Sequence, residues 1–353
     1  MIQLDKELIR KLPKAEIHCH LDGSMRISTI MELARQQKVR LPADNERDLR
    51  RILEAGMNVS SLTEYLKLFD ITLSVLQEAD ALTRATYELG EDCTSENVRY
   101  LEIRFAPILH TQKGLRLNEV INAVLKGKEQ AEQDFNIKIG IIISSIRHND
   151  PQESLISAEL AVAYKNSGIV GFDLAGAEQN YPVKDHQEAF QLINNNNINI
   201  TVHAGEAYGP ESIHQAIHLV NANRIGHGTR LRENGDLLNY VNDRRIPLEM
   251  CITSNLQTKA VKNIQDHPFR FYLDLGLRAT VNTDNRLISS TTLTDEYMLA
   301  INSFNLEIKE VVTLILNGFK SAFLPYAQKA DMIRRVILEL KQLGLVCETN
   351  DYL

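Results

Sequence analysis

Cysteine is scarce in this chain and nowhere paired. Cys19, Cys93, Cys251 and Cys347 lie far apart among 353 residues with no C-x-x-C motif, which argues against a zinc knuckle or disulfide framework and suits a reducing compartment. Long apolar runs are also missing, since none approaches the ~20 residues of a membrane span. The opening Met1-Ile2-Gln3-Leu4-Asp5-Lys6-Glu7 carries charge where a signal peptide needs a continuous apolar stretch. A cytoplasmic location without a membrane partner is therefore expected. Excess basic charge is lacking too: the formal net charge is −7, with Lys and Arg dispersed among Asp and Glu. No basic stripe is available to neutralise nucleic-acid phosphates, so the expected partner is a small molecule.

What the chain does contain is a regular alternation. Eight apolar segments have strand-like composition: 15–21, 98–105, 137–145, 169–174, 198–203, 224–226, 247–252 and 277–282. Ile139, Ile141, Ile142 and Ile143 make the third nearly continuous in apolar character, as a parallel strand covered on both faces should be. Helical spacing fills the intervals at 117–134, 154–166, 184–194 and 211–221. A doubly wound open sheet shares this alternation, but no G-x-G-x-x-G follows the first strand. His18, His20, His203, His227 and Asp284 all fall at or just beyond strand C-terminal ends. In a (β/α)₈ TIM barrel those ends converge on one catalytic face, and this is the expected fold.

Such a barrel needs ~250 residues, so two intervals must absorb the excess within a single domain spanning 1–353. The first, about 23–97, leaves strand one on the catalytic face. Its residues Leu62, Tyr65, Leu66, Phe69, Leu73 and Leu76 follow i, i+3, i+4, i+7, i+11, i+14 spacing, which predicts one helix acting as a lid or packing on the barrel. The second is a helical C-terminal tail, clearest at 307–317 and 328–343.

Four short motifs carry the chemistry. In a strand, residues i and i+2 face one side, so His18 and His20 can grip one ion. His203-Ala204-Gly205-Glu206 adds an imidazole and a carboxylate where Gly205 permits a sharp turn. Gly226-His227-Gly228 and Thr283-Asp284 complete the group. A nitrogen and oxygen donor set of this kind suits Zn²⁺ at a catalytic centre rather than a sulfur-rich structural one. The chain reads as a metal-dependent hydrolase.

In their order along the chain these segments resemble the adenosine deaminase family, a branch of the amidohydrolase barrels. The resemblance rests on Leu12-Pro13-Lys14-Ala15-Glu16-Ile17-His18-Cys19-His20-Leu21-Asp22-Gly23-Ser24, Tyr100-Leu101-Glu102-Ile103-Arg104-Phe105-Ala106-Pro107 and Gly171-Phe172-Asp173-Leu174-Ala175-Gly176. It continues through His203-Ala204-Gly205-Glu206, Arg224-Ile225-Gly226-His227-Gly228, Ser254-Asn255 and Asn282-Thr283-Asp284. The resemblance implies one Zn²⁺ per chain on His18, His20, His203 and Asp284. It implies Glu206 as proton donor to purine N1 and His227 as the residue that orients and deprotonates the attacking water. It further implies Asp22 at the ribose 5′-hydroxyl, Gly176 at N3, and Leu62, Tyr65 and Phe69 on an apolar lid helix. The implied reaction is hydrolysis of adenosine and 2′-deoxyadenosine to the 6-oxo purine nucleoside and ammonia, in purine salvage.

Two positions depart from the family pattern. Asn285 and Arg286 stand where an aspartate and a proline are frequent, and Ala177 precedes Glu178 where an acidic residue is often found. An Asn285 amide can donate to purine N7 without needing protonation. Adenine or a modified 6-aminopurine nucleoside, such as aminodeoxyfutalosine or methylthioadenosine, is the alternative substrate. A barrel that binds nucleosides or a partner without catalysis is a remoter alternative. Deaminases that flip bases out of nucleic acids are disfavoured, because their H-x-E and P-C-x-x-C pattern is missing.

Overall fold

The computed structural model describes residues 4–54, 59 and 61–346. Its eight strands are β1 (Lys14–His20), β2 (Val98–Phe105), β3 (Lys138–Ile146), β4 (Ile169–Ala175), β5 (Asn199–Ala204), β6 (Arg224–His227), β7 (Leu248–Met250) and β8 (Ala279–Val281). Each pairs in parallel with the next. The ring closes where β1 meets the segment after β8: His20 N donates to Asp284 O at 2.8 Å and Asp284 N to His18 O at 2.9 Å. This is the (β/α)₈ barrel that the strand and helix alternation predicts. Ile139, Ile141, Ile142 and Ile143 of β3 are buried on both faces, because the sheet has helices outside and a filled core within.

Two strands are shorter than the apolar runs predict. Beyond Met250 the chain bends at Cys251 and enters the helix Ile252–Gln257. Beyond Val281, the Asn282 side chain takes the place of a ladder carbonyl by accepting from Ile17 N at 3.2 Å. Helix 117–134 is found as expected, at Leu117–Asp134. The expected 154–166 helix instead spans Pro151–Ala163, because Asp150 caps Gln152 N at 2.9 Å and Pro151 opens the first turn. The 184–194 segment begins as a 3₁₀ turn, Val183–His186, before the helix Gln187–Asn195. The 211–221 segment is the helix Pro210–His218.

The insertion after β1 contributes helices Ile27–Gln37, Glu46–Leu53, Leu62–Leu66, Phe69–Val75 and Ala79–Thr94; residues 55–58 and 60 of the expected 23–97 interval lie outside the described ones. The single helix anticipated from Leu62 to Leu76 is two. Between them, Lys67 N bonds Glu64 O and Leu68 N bonds Tyr65 O, so the backbone tightens to i→i−3 bonding without reversing direction. The apolar stripe therefore keeps one face as far as Leu73, and Leu76 is buried at the helix end. In the tail, helices Leu293–Phe304, Ile308–Ser321 and Tyr326–Gln342 follow β8, and Ile308–Ser321 covers the β8–β1 seam. Among the described residues no helix is long and apolar enough to cross a membrane.

Inside the barrel runs a chain of buried charges. Arg224 joins Glu102 and Glu249 at 2.5 Å each, while Arg104 reaches Glu249 at 2.9 Å and Asp173 at 3.6 Å. Glu102, Asp173 and Glu249 thus each face a guanidinium, which is the condition for holding such groups out of water.

Candidate active site

At the C-terminal mouth of the barrel, ligand atoms of His18, His20, His203 and Asp284 all lie within 4.8 Å of one another. His20 Nε2 is 3.2 Å from His203 Nε2, and Asp284 Oδ1 is 3.4 Å from His18 Nε2 and 3.3 Å from His20 Nε2. The outer atoms are held from behind. His18 Nδ1 donates to Glu249 at 2.8 Å, His203 Nδ1 to Asp173 at 3.0 Å, and Ser254 Oγ to Asp284 Oδ2 at 2.6 Å. Such second contacts aim the remaining lone pairs at a common point.

The donor set passes a direct test of fit for a divalent cation. His18 Nε2 is buried without a hydrogen-bond partner, so a polar atom stands uncompensated where an ion would bind. Burial, reinforced by Arg104, lowers His18 to about 4, which keeps the ring in the neutral form a metal requires. Two of the positions carry unusual backbone. Asp284 has φ +61° and His227 φ +63°, a left-handed conformation that non-glycine residues seldom adopt and that concentrates at functional sites.

Glu206 and His227 face each other beside this cluster, with His227 Nε2 3.6 Å from Glu206 Oε2. Burial raises the Glu206 carboxyl above its ordinary range against the opposing influence of His227. The loop bearing Glu206 is captured by one side chain. The Glu178 carboxylate accepts from the backbone N–H groups of Gly205, Glu206, Ala207 and Tyr208 at 2.6–3.0 Å. Thus the acidic residue that matters structurally beside Gly176 is Glu178, while Ala177 donates its N–H to His148 Nδ1 at 3.2 Å.

A cavity opens above these groups. His20, His203, Glu206, His227 and Asp284 line it, joined by Asp22, Gly176 and Asn285, with Leu62, Tyr65 and Phe69 contributed by the insertion. His18 alone of the residues singled out from sequence sits behind the lining, within the ligand cluster. Gly176 has φ +96°, and a Cβ there would fall 2.8 Å from His148 Nδ1; only glycine fits. Tyr65 is fixed by a 2.9 Å bond between its hydroxyl and Ser289 Oγ. Asp22 Oδ1 and Asn285 Oδ1 are buried without partners, and the latter packs against Gly23 so closely that a Cβ there would approach to 1.9 Å. Besides Glu206 and Asp284, the lining includes the carboxylates of Asp22 and Asp70 but, among the described residues, no lysine or arginine.

Residues 13–339 match the family model described as Adenosine deaminase. The chain belongs to the adenosine deaminase family. It is 44% identical over its whole length to a probable adenosine deaminase from Dictyostelium discoideum, of which it spans 46%. With an adenosine deaminase from Clostridium acetobutylicum it shares 41% identity over 94% of this chain and 99% of that protein. Among solved structures, an adenine deaminase from Arthrobacter aurescens superposes with TM-score 0.87 at 27% identity, covering 94% of this chain and 99% of that one. An N6-mAMP deaminase from arabidopsis superposes with TM-score 0.84 at 29% identity, covering 94% and 98%. The chain is accordingly a hydrolytic deaminase.

The motif reading of this deaminase gave no role to the residues that support the site. Glu249 had a signal, a charge in the middle of the apolar β7 segment Leu248-Glu249-Met250, since a buried charge demands a partner. Asp173 is the same case in β4. Ser254 and Asn255 entered only as a motif of the resemblance, with no role, and Thr258 not at all, because their importance arises only when the chain turns helical after Cys251.

Proposed function

We propose that the protein hydrolyses adenosine and 2′-deoxyadenosine at C6, releasing ammonia and the 6-oxo nucleoside, with one Zn²⁺ held by His18, His20, His203 and Asp284. When bound, the ion supplies Lewis acidity that lets water ionise near neutral pH. The chain's own groups do the rest. Glu206 protonates N1 as the water oxygen adds to C6, and His227 contacts that oxygen. The hydrogen left on the oxygen then passes to the amine as the C6–N bond breaks and the 6-oxo group forms, and the proton released when the water ionised is made good at Glu206. The observation that carries this reading is the position of Glu206, buried in the cavity wall opposite His227 and beside the ligand cluster. Thr258 Oγ has one hydrogen but lies 3.0 Å from Ser254 O and 2.9 Å from Glu206 Oε1. That hydroxyl donates to Glu206 Oε1 or to Ser254 O, and burial raises the Glu206 carboxyl above its ordinary range, which is the direction an acid that gives a proton to N1 requires.

The unpaired Asp22 Oδ1 fits a ribose 5′-hydroxyl, and burial pushes its carboxyl up to about 6. Gly176 offers its N–H to N3, and Asn285, with Oδ1 turned toward Gly23, offers its amide hydrogens to N7. Leu62, Tyr65 and Phe69 cover the sugar. Asp22 and Asp70 lie in the lining away from the ligand cluster, and with no lysine or arginine among the described lining residues they favour a nucleoside over a nucleotide. The test is kcat/KM for adenosine, deoxyadenosine, adenine, AMP, N6-methyl-AMP and 5′-substituted adenosines. Adenosine and deoxyadenosine should lead; a lead for AMP, N6-methyl-AMP or adenine would overturn the substrate assignment.

A further inference from the structure

The two ring nitrogens of His227 have unlike surroundings. Nε2 faces the cavity and Glu206, whereas Nδ1 lies 3.0 Å from Nδ2 of Asn255. Behind Asn255, its Oδ1 is 3.3 Å from Nε2 of His267, and Nδ1 of His267 is 3.2 Å from the backbone nitrogen of Phe269. Asn255 and His267 are buried and Nδ1 of His227 faces Asn255 rather than the cavity, so protein partners set the hydrogens along this row.

The direction of every bond follows from the fixed end. A backbone N–H can only donate, so His267 Nδ1 accepts. Burial lowers His267 to about 3, hence the ring is neutral and its single hydrogen sits on Nε2, directed at Asn255 Oδ1. An amide accepts through oxygen alone. The Asn255 NH₂ is thereby turned toward His227, whose Nδ1 must accept and whose hydrogen must lie on Nε2.

We propose that Asn255 and His267 form a relay that fixes His227 as the Nε2–H tautomer, so that His227 meets the attacking water as a hydrogen-bond donor. A hydrogen on Nδ1 would confront the amide hydrogens of Asn255. Turning the amide over would set its NH₂ against His267 Nε2–H, and turning that tautomer over would set a ring N–H against the Phe269 peptide N–H. One reversal requires all, and the last is barred. The donor role differs from the one the family resemblance implies, since an Nε2 that already carries hydrogen does not take another from water. Asn255 and His267 are positioning residues and touch no substrate.

The hydrogen placement is tested without reference to turnover, and only its kinetic consequence rests on the deaminase reading. Zinc-loaded enzyme labelled with ¹⁵N in its histidine rings is examined by multiple-bond ¹H–¹⁵N NMR, with His227 assigned as the pattern lost in His227→Gln. A bare Nδ1 and a hydrogen-bearing Nε2 are expected. An Nδ1–H tautomer, or hydrogen on both nitrogens, overturns the proposal. Asn255→Asp keeps the shape but can only accept, so the hydrogen should move to Nδ1 and kcat should fall by at least about tenfold with KM changed less than about threefold. Zinc content should be unchanged. An unmoved tautomer, or a moved tautomer with parental kcat, overturns the relay. Should Asn255→Asp fail to fold, His267→Phe removes the far donor and should give a mixture of both tautomers; a pure Nε2–H pattern there would overturn the role of His267. If the parent does not deaminate adenosine, the substrate reading fails while the NMR outcome stands by itself.

Discussion

Glu249 Oε2 accepts a hydrogen bond from Nδ1 of His18 at 2.8 Å, and the same oxygen lies 2.9 Å from Nη2 of Arg104. The aim of one candidate ligand is thus tied to the charge chain in the barrel interior. In Glu249→Gln, the amide cannot accept from His18, Arg104 and Arg224 as the two carboxylate oxygens do. Zinc affinity measured by chelator competition should fall about 10–100-fold, and urea unfolding should reveal a loss of roughly 3–5 kcal/mol. Unaltered zinc affinity would mean that packing alone orients His18.

Removing a ligand atom should act more bluntly. His18→Ala, His203→Ala and Asp284→Ala are each expected to lose bound metal and activity together, as read by metal analysis after dialysis alongside ammonia release. A variant retaining one zinc per chain and near-parental turnover takes its residue out of the ligand set.

Glu206→Gln separates binding from chemistry. The amide preserves shape and leaves the zinc ligands untouched, but it cannot deliver a proton to N1, so kcat should drop by ~10²–10⁴ while zinc content stays constant. Full activity would assign the proton to another group.

Asn285 is testable through the substrate. Replacing N7 by C–H, as in 7-deazaadenosine, removes an acceptor and leaves an amide hydrogen unpaired, at a cost on the order of 1–3 kcal/mol, or roughly ten- to a hundredfold in kcat/KM. Because the deaza ring also has altered electronics, the comparison needs a cycle with Asn285→Ala. The variant should discriminate less between the two substrates than the parent does; equal discrimination would place Asn285 away from N7.

Glu296 predicts a pH dependence of stability remote from the chemistry. It is fully buried, and burial raises its carboxyl from 4.5 to about 7 despite accepting hydrogen bonds from Thr253 N at 3.2 Å and Thr291 Oγ at 2.9 Å. The folded state therefore holds a proton that the unfolded chain has released between those two values. Stability from this group is complete below about 4.5 and is lost as pH rises through about 7, by about 3 kcal/mol in total. Glu296→Gln should flatten that part of the profile, so the difference in urea midpoint between variant and parent should grow in the variant's favour from pH 5 to pH 8. A constant difference would contradict it.

The fold was legible because its period is carried by many residues at once. Eight apolar runs separated by helical spacing leave few topologies, and the histidines and Asp284 at the strand ends select the barrel. The ends of elements were less legible: Asp150 and Pro151 start a helix through capping, which apolar spacing does not register, and the stripe from Leu62 to Leu76 looks unbroken because a tightened turn at Lys67 and Leu68 scarcely shifts its face. Within the site, His18, His20, His203, Glu206, His227 and Asp284 stood out by type and position. Their supports were less legible: Glu178 and Asn255 appear in sequence without a role and His267 not at all, because each gains one only when folding sets Glu178 against Gly205–Tyr208, Asn255 against His227 and His267 behind Asn255.

The capture of four consecutive peptide hydrogens by Glu178 divides the loop after β4 into positions of unequal mutational tolerance. Position 178 is closed to variation, because any residue without a carboxylate would release the segment that presents Glu206. Its neighbours Gln179 and Asn180 are exposed and Ala177 only half-buried, and Ala177, Gln179 and Asn180 border the opening beside Glu206 and Thr258. A library confined to those three codons would reshape the rim that incoming purines meet while leaving the acid in register. Substitutions there, within two residues of the anchor, should therefore shift substrate preference while the segment that carries Glu206 stays held.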